Sequence, residues 1–187
     1  MKISYNLPGI SYNAPVVLTF ALLSLLELCA DHLTGGMFKY YFVSSSYTGS
    51  ILYVLGNANF EHYWRNMLFL LLLGPILEEK YGSLVLLIMI VATTVYTSAA
   101  NLWFLDGGMI GSSGIVYMMI VLAAIVGAKE NTIPLTFILV VFIYIGKEIL
   151  AFSSPTDLSS HFAHIFGGLM GGILGTIFTP LPRDHSD

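Results

Sequence analysis

Charged residues are scarce in this chain, and their scarcity excludes most classes of water-soluble protein. Only 10% of its 187 residues are charged, whereas 56% are hydrophobic. Soluble domains average about 25% charged residues, which cover the surface that faces water. The mean hydropathy of +0.81 agrees with this deficit. The composition therefore predicts an integral membrane protein.

Cysteine and clusters of basic residues are also lacking. A single cysteine, Cys29, excludes an intrachain disulfide and a site built from several cysteines. The net charge of -4 is spread thinly and includes no basic run, so we expect no nucleic-acid binding. We expect no cleaved signal peptide, because the first apolar run contains Glu27 and lacks a small-residue cleavage pattern. Without a repeat or a polar linker, residues 1–187 are expected to form one domain.

Six apolar segments predict an all-α, polytopic membrane protein. Backbone groups in lipid must pair internally, so each segment is expected to be a helix. A long loop over residues 32–58 follows the first segment, and its aromatic side chains suit the headgroup region of a bilayer. The predicted spans cover about residues 13–31, 60–78, 83–105, 113–128, 132–151 and 161–178.

Six spans place both termini on one side of the membrane, and the basic residues predict which side. Outside the spans, four basic residues fall on the side of the termini and one, Lys39, falls on the other. Cytoplasmic loops carry the excess of Lys and Arg, so both termini are expected in the cytoplasm. The four residues are Lys2, Lys80, Lys129 and Arg183.

A glycine-rich stretch, GGMIGSSGIVY at residues 107–117, precedes an apolar run that is too short to span a bilayer. Residues 115–126 cover about 18 Å as a helix, against a hydrocarbon core of about 30 Å. The stretch must therefore dip into the membrane and place Ser112 and Ser113 at a submerged helix start. Free N–H groups at a helix start suit a nucleophile beside an oxyanion. Alternatively, the small residues only permit close helix packing.

Polar side chains inside predicted spans are candidates for function, because they are costly in lipid. His62 and Asn66 are separated by one helical turn on the second span and share a face. Ser113 begins the fourth span and His164 lies near the start of the sixth. Even-numbered spans run inward in this topology, so all four residues are expected in the outer part of the membrane.

Small residues on the sixth span predict a close approach to another helix. Gly167 and Gly171 belong to a stripe of glycines that begins three residues after His164. Such a stripe lets two backbones meet, and the fourth span is the best candidate partner. The contact would bring His164 near Ser113, whose hydroxyl needs an adjacent base to act as a nucleophile. Tyr117 would pack against the imidazole or serve as an ordinary packing residue.

On these residues the chain resembles the rhomboid family of intramembrane serine proteases. Four motifs occur in the family's order, and the resemblance covers residues 13–178. The motifs are Gly-x-Ser-Gly at Gly111 to Gly114 with Tyr117 following, Ala-His-x-x-Gly-x-x-x-Gly at Ala163 to Gly171 with Gly167 between, His-x-x-x-Asn at His62 to Asn66, and Glu-x-x-x-Gly at Glu78 to Gly82.

The resemblance implies a rhomboid-like bundle of six transmembrane helices and a catalytic dyad of Ser113 and His164, with no acidic third member. The Ser113 N–H and the side chains of His62 and Asn66 would hold the oxyanion. Glu78 would be structural and tie down the turn between the second and third spans, unless it is a solvated loop charge. Charged residues near the outer ends of spans, among them Glu27, Arg65, Lys147 and Glu148, are expected to snorkel.

The resemblance also implies the substrates and the location. Substrates would be transmembrane proteins whose helices unwind near a small residue, with access controlled by the fifth span and the outer loops. The protein would need no cofactor or metal and would lie in a prokaryotic cell membrane, with its active site toward the outer side. Many relatives carry a second histidine where this chain has Asn57. Loop one therefore departs from the family pattern.

Three other functions stay open on the sequence. A catalytically inactive relative that binds or escorts membrane proteins would typically lack the serine or the histidine, and this chain keeps both. A zinc site could use His62, His161, His164 and Asp157, but it leaves the Gly-Ser-Ser-Gly stretch unexplained. A small transporter or channel would account for polar residues in spans, yet no inverted repeat is visible.

Overall fold

The described part of the chain folds into helices and contains no strand. The computed structural model describes residues 11–37, 39, 49–105, 108–126, 135–151, 158–178 and 180. A single helical turn, Gly49–Leu52, lies between the first two long helices. The six long helices are α1 (Pro15–Leu33), α2 (Phe60–Tyr81), α3 (Ser83–Phe104), α4 (Ser113–Val126), α5 (Leu135–Ala151) and α6 (Leu158–Ile177).

The helices follow the predicted spans to within a few residues. The helix α2 continues three residues further than predicted, to Tyr81, and α6 begins three residues earlier, at Leu158. Residues 127–128 and 132–134 of the predicted spans lie outside the described residues. The predicted loop over 32–58 is described only in part: α1 runs to Leu33, residues 49–52 form a helical turn, and Tyr53 and Asn57 are buried. Its expected position in the headgroup region stays a prediction, because residues 38 and 40–48 lie outside the described part of the chain.

The outer surface of the described helices is apolar, as expected of a protein in contact with lipid. Among these helices, α1 and α3 are long and apolar enough to cross a membrane, and α4 is a shorter apolar helix. Leucines face outward on three helices: Leu22 is 58% exposed, Leu72 61% and Leu84 70%. So much exposed apolar surface is unfavourable in water and indicates an integral membrane protein.

The short helix α4 lies at the centre of the bundle. It contacts α2, α3, α5 and α6, and its side chains Met118, Met119 and Leu122 are completely buried. Protein therefore surrounds the start of α4, where the irregular glycine-rich segment leads into the helix. Irregular backbone is tolerated in a membrane in such surroundings.

The helices α4 and α6 cross in backbone contact at glycines. A Cβ atom on Gly167 would lie 2.1 Å from the carbonyl oxygen of Gly114, and one on Gly171 would lie 2.6 Å from that of Met118. A backbone carbonyl within a packed helix cannot move aside as a flexible side chain can. The crossing thus depends on glycine at both positions, and it brings the start of α6 against the start of α4.

Glu78 joins the first three helices. It lies near the end of α2, beside the start of α3. Its Oε1 accepts hydrogen bonds from the Val16 N–H at 3.0 Å and the Ser83 hydroxyl at 2.7 Å, and its Oε2 accepts from the Val17 N–H at 3.1 Å. The two amides belong to the first turn of α1, where helices have free N–H groups. Glu78 is only 4% exposed and is a buried cap, not a solvated loop charge.

Glu27 does not snorkel, contrary to the sequence-based expectation. It is 5% exposed and shares the inward face of α1 with the fully buried Ser24. Asn57 packs against the same face, and its Nδ2 donates to the Ser24 hydroxyl at 2.8 Å and to the Leu55 carbonyl at 3.1 Å. Hydropathy gives the depth of a residue in a span but not its rotation about the helix axis, which is why this expectation was wrong.

Alanine substitutions on α6 test the glycine contact. Gly167→Ala is expected to lower stability by about 1–3 kcal/mol, because its methyl group would collide with backbone atoms. Gly172→Ala is the matched control, since nothing lies within 4 Å of the added Cβ. Thermal unfolding in detergent micelles measures both variants. Equal melting temperatures for the two variants would contradict the proposed contact.

Glu78→Gln tests the cap of α1. The amide keeps one acceptor but loses the charge and places an N–H₂ group opposite at least one backbone donor of α1, so stability is expected to fall by about 1–3 kcal/mol. Glu79→Gln is the control, because the neighbouring Glu79 is exposed. Chemical or thermal unfolding of both variants provides the comparison. A loss of the same size in both would mean that the charge of this region matters and the cap does not.

Candidate active site

The starts of α2, α4 and α6 and the end of α5 surround a cavity of about 540 Å³. Its walls include side chains that the sequence marks as candidates for chemistry. They are His62, Asn66, Ser113, Tyr117 and His164, together with Gly111. Residues from three separate regions of the chain therefore meet at one end of the bundle.

The structure distinguishes the two adjacent serines. Ser113 is the first residue of α4, is half-buried and lines the cavity. Ser112 is fully buried, and its hydroxyl has no hydrogen-bond partner within the described residues. The Ser112 carbonyl accepts from the Val116 N–H at 3.0 Å, as expected for the residue that precedes a helix. Only Ser113 is positioned to meet a molecule in the cavity.

Gly111 fixes the path of the backbone into α4. Its φ of +118° is in the region that favours glycine. Its N–H donates to the Tyr53 carbonyl at 2.8 Å, so the buried part of the loop before α2 holds the segment. A Cβ here would lie 2.3 Å from Cε1 of His62. The backbone before Ser113 thus packs directly against the His62 imidazole.

His62 and Asn66 present hydrogen-bond donors on one face of α2. The side chain of Asn59 caps α2 by accepting from the His62 N–H at 2.8 Å, and Nδ1 of His62 accepts from the Ala58 N–H at 3.2 Å. In the neutral ring the proton is then on Nε2. Asn66 is 6% exposed, and its Nδ2 finds no acceptor in the described part of the chain. A buried donor without an acceptor is costly, and such groups occur where a ligand supplies the acceptor.

His164 is held from two sides. Its imidazole stacks on the ring of Tyr117, with centroids 4.2 Å apart and planes 4° from parallel. Its Nδ1 lies 2.9 Å from Oε1 of Glu148, and the Tyr117 hydroxyl donates to the same oxygen at 2.7 Å. The ring therefore has a fixed orientation, and Nε2 is the nitrogen left for chemistry.

Glu148 is a candidate site residue that the sequence analysis did not place at the cavity. It lies in the last turn of α5, its side chain is 2% exposed, and its Oε2 lies 2.5 Å from Nδ1 of His161. The expectation that Glu148 snorkels is therefore wrong, and His164 has an acidic neighbour that the expected dyad did not include. The missed signal was the carboxylate itself, since an ionisable group in an apolar span requires a partner.

The cluster of Glu148, His161 and His164 is also the place where a metal could be considered. Within the described residues these three offer one ligand atom each, all within 4.8 Å of one another. The zinc hypothesis combined His161 and His164 with His62, which packs on Gly111 instead, and with Asp157, which lies outside the described residues. Hydrogen bonds from Tyr117 and the two histidines account for the geometry of the carboxylate.

The rim of the cavity is charged. Glu61 and Arg65 form an exposed ion pair one helical turn apart on α2, and Lys147 of α5 also lines the opening. An exposed pair of this kind adds little to stability, and charged side chains here are compatible with water at the mouth of the cavity. Water access is a requirement for any hydrolytic reaction at Ser113.

Comparison with known proteins agrees with this geometry. A family model described as the Rhomboid domain matches residues 44–181, which include α2 to α6 and all the cavity residues named above. No curated protein matches the chain. Since the family match covers well over half of the sequence, the chain belongs to the rhomboid family.

Proposed function

We propose that this protein is an intramembrane serine endopeptidase that hydrolyses peptide bonds in or near transmembrane helices of other membrane proteins. Members of the rhomboid family are usually intramembrane serine proteases. The observation that carries the proposal is the glycine crossing of α4 and α6. It places His164, stacked on Tyr117, beside the first turn of α4, and Ser113 faces the same cavity.

Ser113 is the proposed nucleophile and His164 the proposed base. The Ser113 hydroxyl would attack the carbonyl carbon of the scissile bond and pass its proton to Nε2 of His164. The imidazolium would then protonate the leaving amine, which departs with the C-terminal part of the substrate. A water molecule from the charged rim would repeat the sequence on the acyl-enzyme and release Ser113.

The tetrahedral intermediate needs hydrogen-bond donors for its oxyanion. We assign this role to the Ser113 N–H, Nε2–H of His62 and Nδ2–H of Asn66. Support comes from the N–H groups that are free at the start of α4, and from the buried Nδ2 of Asn66, for which the described structure offers no acceptor. Donors that are already oriented and desolvated stabilise developing charge at little cost in reorganisation.

The position of the cavity at one end of the bundle supports a proposal for substrate and orientation. We propose six spans with both termini in the cytoplasm, so that the cavity lies toward the outer side. A helical peptide bond is shielded by its own helix, so a transmembrane substrate must unwind locally to expose a carbonyl to Ser113. Extended substrate backbone could then lie beside the start of α4. A substrate segment with small side chains would unwind most readily and fit closest to α4.

A catalytically inactive member of the family that binds or escorts membrane proteins is the alternative. The intact pair of Ser113 and His164, and the donors that surround them, favour the protease. Cleavage measurements separate these two functions directly.

Substitution of the two serines and of the histidine tests the nucleophile. Ser113→Ala and His164→Ala are each expected to lower cleavage of a fluorogenic transmembrane-helix substrate by about 10³-fold or more. Ser112→Ala is the matched control and should cleave like the native protein, because its hydroxyl is buried away from the cavity. Cleavage by Ser113→Ala at the native rate would contradict the assignment. A folded native protein that cleaves none of several substrates would favour the binding function.

Asn66→Leu tests the oxyanion site. Loss of one donor is expected to lower kcat by about 10²–10³-fold with little change in KM. Stability should stay within about 1 kcal/mol of the native value, because the lost amide hydrogen has no acceptor in the folded protein. Steady-state kinetics and thermal unfolding together make the measurement. An unchanged kcat would show that Asn66 does not contact the oxyanion.

A further inference from the structure

We propose that Glu148 is a positioning residue that acts through His164, so that the catalytic group is a Ser113–His164–Glu148 triad and not a dyad. The proposal rests on the proposed protease function and adds a third member to its site. The carboxylate belongs to α5, whereas the residues that it orients belong to α4 and α6.

The first step concerns the proton on the imidazole. An ionised carboxylate only accepts hydrogen bonds, and Oε1 of Glu148 lies 2.9 Å from Nδ1 of His164. The neutral imidazole must then carry its proton on Nδ1 and a lone pair on Nε2. That lone pair is what takes the proton of the Ser113 hydroxyl. With the other tautomer, His164 could not act as a base toward Ser113.

The second step concerns charge. When His164 takes the serine proton, the imidazolium has an anion at hydrogen-bond distance in a site where the Glu148 side chain is 2% exposed. Attraction between such charges is much stronger there than in water. The proton stays on the imidazole, Glu148 remains ionised throughout, and the same proton later leaves with the amine. No further reactant is required.

The third step concerns how Glu148 itself is held. Its Oε1 also accepts from the Tyr117 hydroxyl at 2.7 Å, and its Oε2 lies 2.5 Å from Nδ1 of His161. Donors on two neighbouring helices therefore fix both oxygens. Tyr117 serves the base twice, by stacking on its ring and by orienting the carboxylate that selects its tautomer. A buried carboxylate that only needed hydrogen-bond partners would not have to be arranged around the imidazole in this way.

The experiment compares purified full-length native protein with Glu148→Gln, Tyr117→Phe and the double variant. The readouts are kcat, KM, melting temperature and the rate at which a fluorophosphonate labels Ser113. Glu148→Gln is expected to lower kcat and the labelling rate by about 10²-fold or more, with KM unchanged. Tyr117→Phe should cause a smaller loss and add nothing to Glu148→Gln, because its hydroxyl acts through the carboxylate. Glu79→Gln, which removes an exposed carboxylate, is the control.

Full activity in Glu148→Gln would overturn the proposal, as would a rise in KM with kcat unchanged. Should Glu148→Gln fail to fold, Tyr117→Phe and His161→Phe each remove one donor to the carboxylate and keep a ring in place. A native kcat in both of these variants would then overturn the proposal. A metal site is the competing explanation, so each assay includes zinc and chelator arms. Loss of native activity with chelator, or a zinc-dependent rise in melting temperature that Glu148→Gln abolishes, would replace the triad by a metal centre.

Failure of this proposal is distinguishable from failure of the protease function. If the native protein cleaves its substrate in a Ser113-dependent manner while Glu148→Gln is unaffected, only the third member is wrong. If the native protein neither cleaves nor is labelled at Ser113, the protease function is wrong and the triad falls with it.

Discussion

The backbone contact of α4 with α6 at Gly114 and Gly167 is the constraint on which the site depends. A Cβ on Gly167 would collide with the Gly114 carbonyl oxygen at 2.1 Å, and one on Gly114 would lie in tight contact, 3.1 Å from the Ala163 carbonyl oxygen. Ser113 immediately precedes one glycine, and His164 lies one turn before the other. The distance between the Ser113 and His164 side chains is therefore set by how closely the two backbones meet, and a bulkier residue at the crossing would separate them.

Three buried polar residues, Glu78, Glu148 and Asn66, differ in how their hydrogen bonds are satisfied. Glu78 and Glu148 are ionisable groups with two oxygens each, and each is surrounded by donors from neighbouring helices. These two carboxylates are tolerable in an apolar bundle because the oxygens of each accept hydrogen bonds. Asn66 is different, because the described structure leaves its amide hydrogen without an acceptor. The two hydrogen-bonded carboxylates join neighbouring helices, whereas the Asn66 amide lines the cavity, where the proposed substrate would supply an acceptor.

Much of the architecture could be predicted from the sequence, because periodic patterns report on helices. The apolar runs gave the six helices to within a few residues, and the glycine stripe after His164 indicated a close helix pair. The residues that were misread, Glu27 and Glu148, lie near the ends of apolar runs, where a charge can either snorkel or turn inward. Which of these occurs depends on the rotation of a helix about its axis, and that is fixed by the tertiary contacts of its neighbours.

The position of Glu148 shows why a motif captures only part of a site. The serine and histidine motifs occupy α4 and α6. Small residues within each motif permit the close packing of these two helices. Glu148 comes from α5, which meets α4 and α6 through side chains, and so its contribution leaves no local spacing pattern in the sequence. A carboxylate in the last turn of an apolar helix does, however, require donors. Tyr117, His161 and His164 are polar groups predicted at the same end of the bundle, so burial energetics alone could have paired them with Glu148.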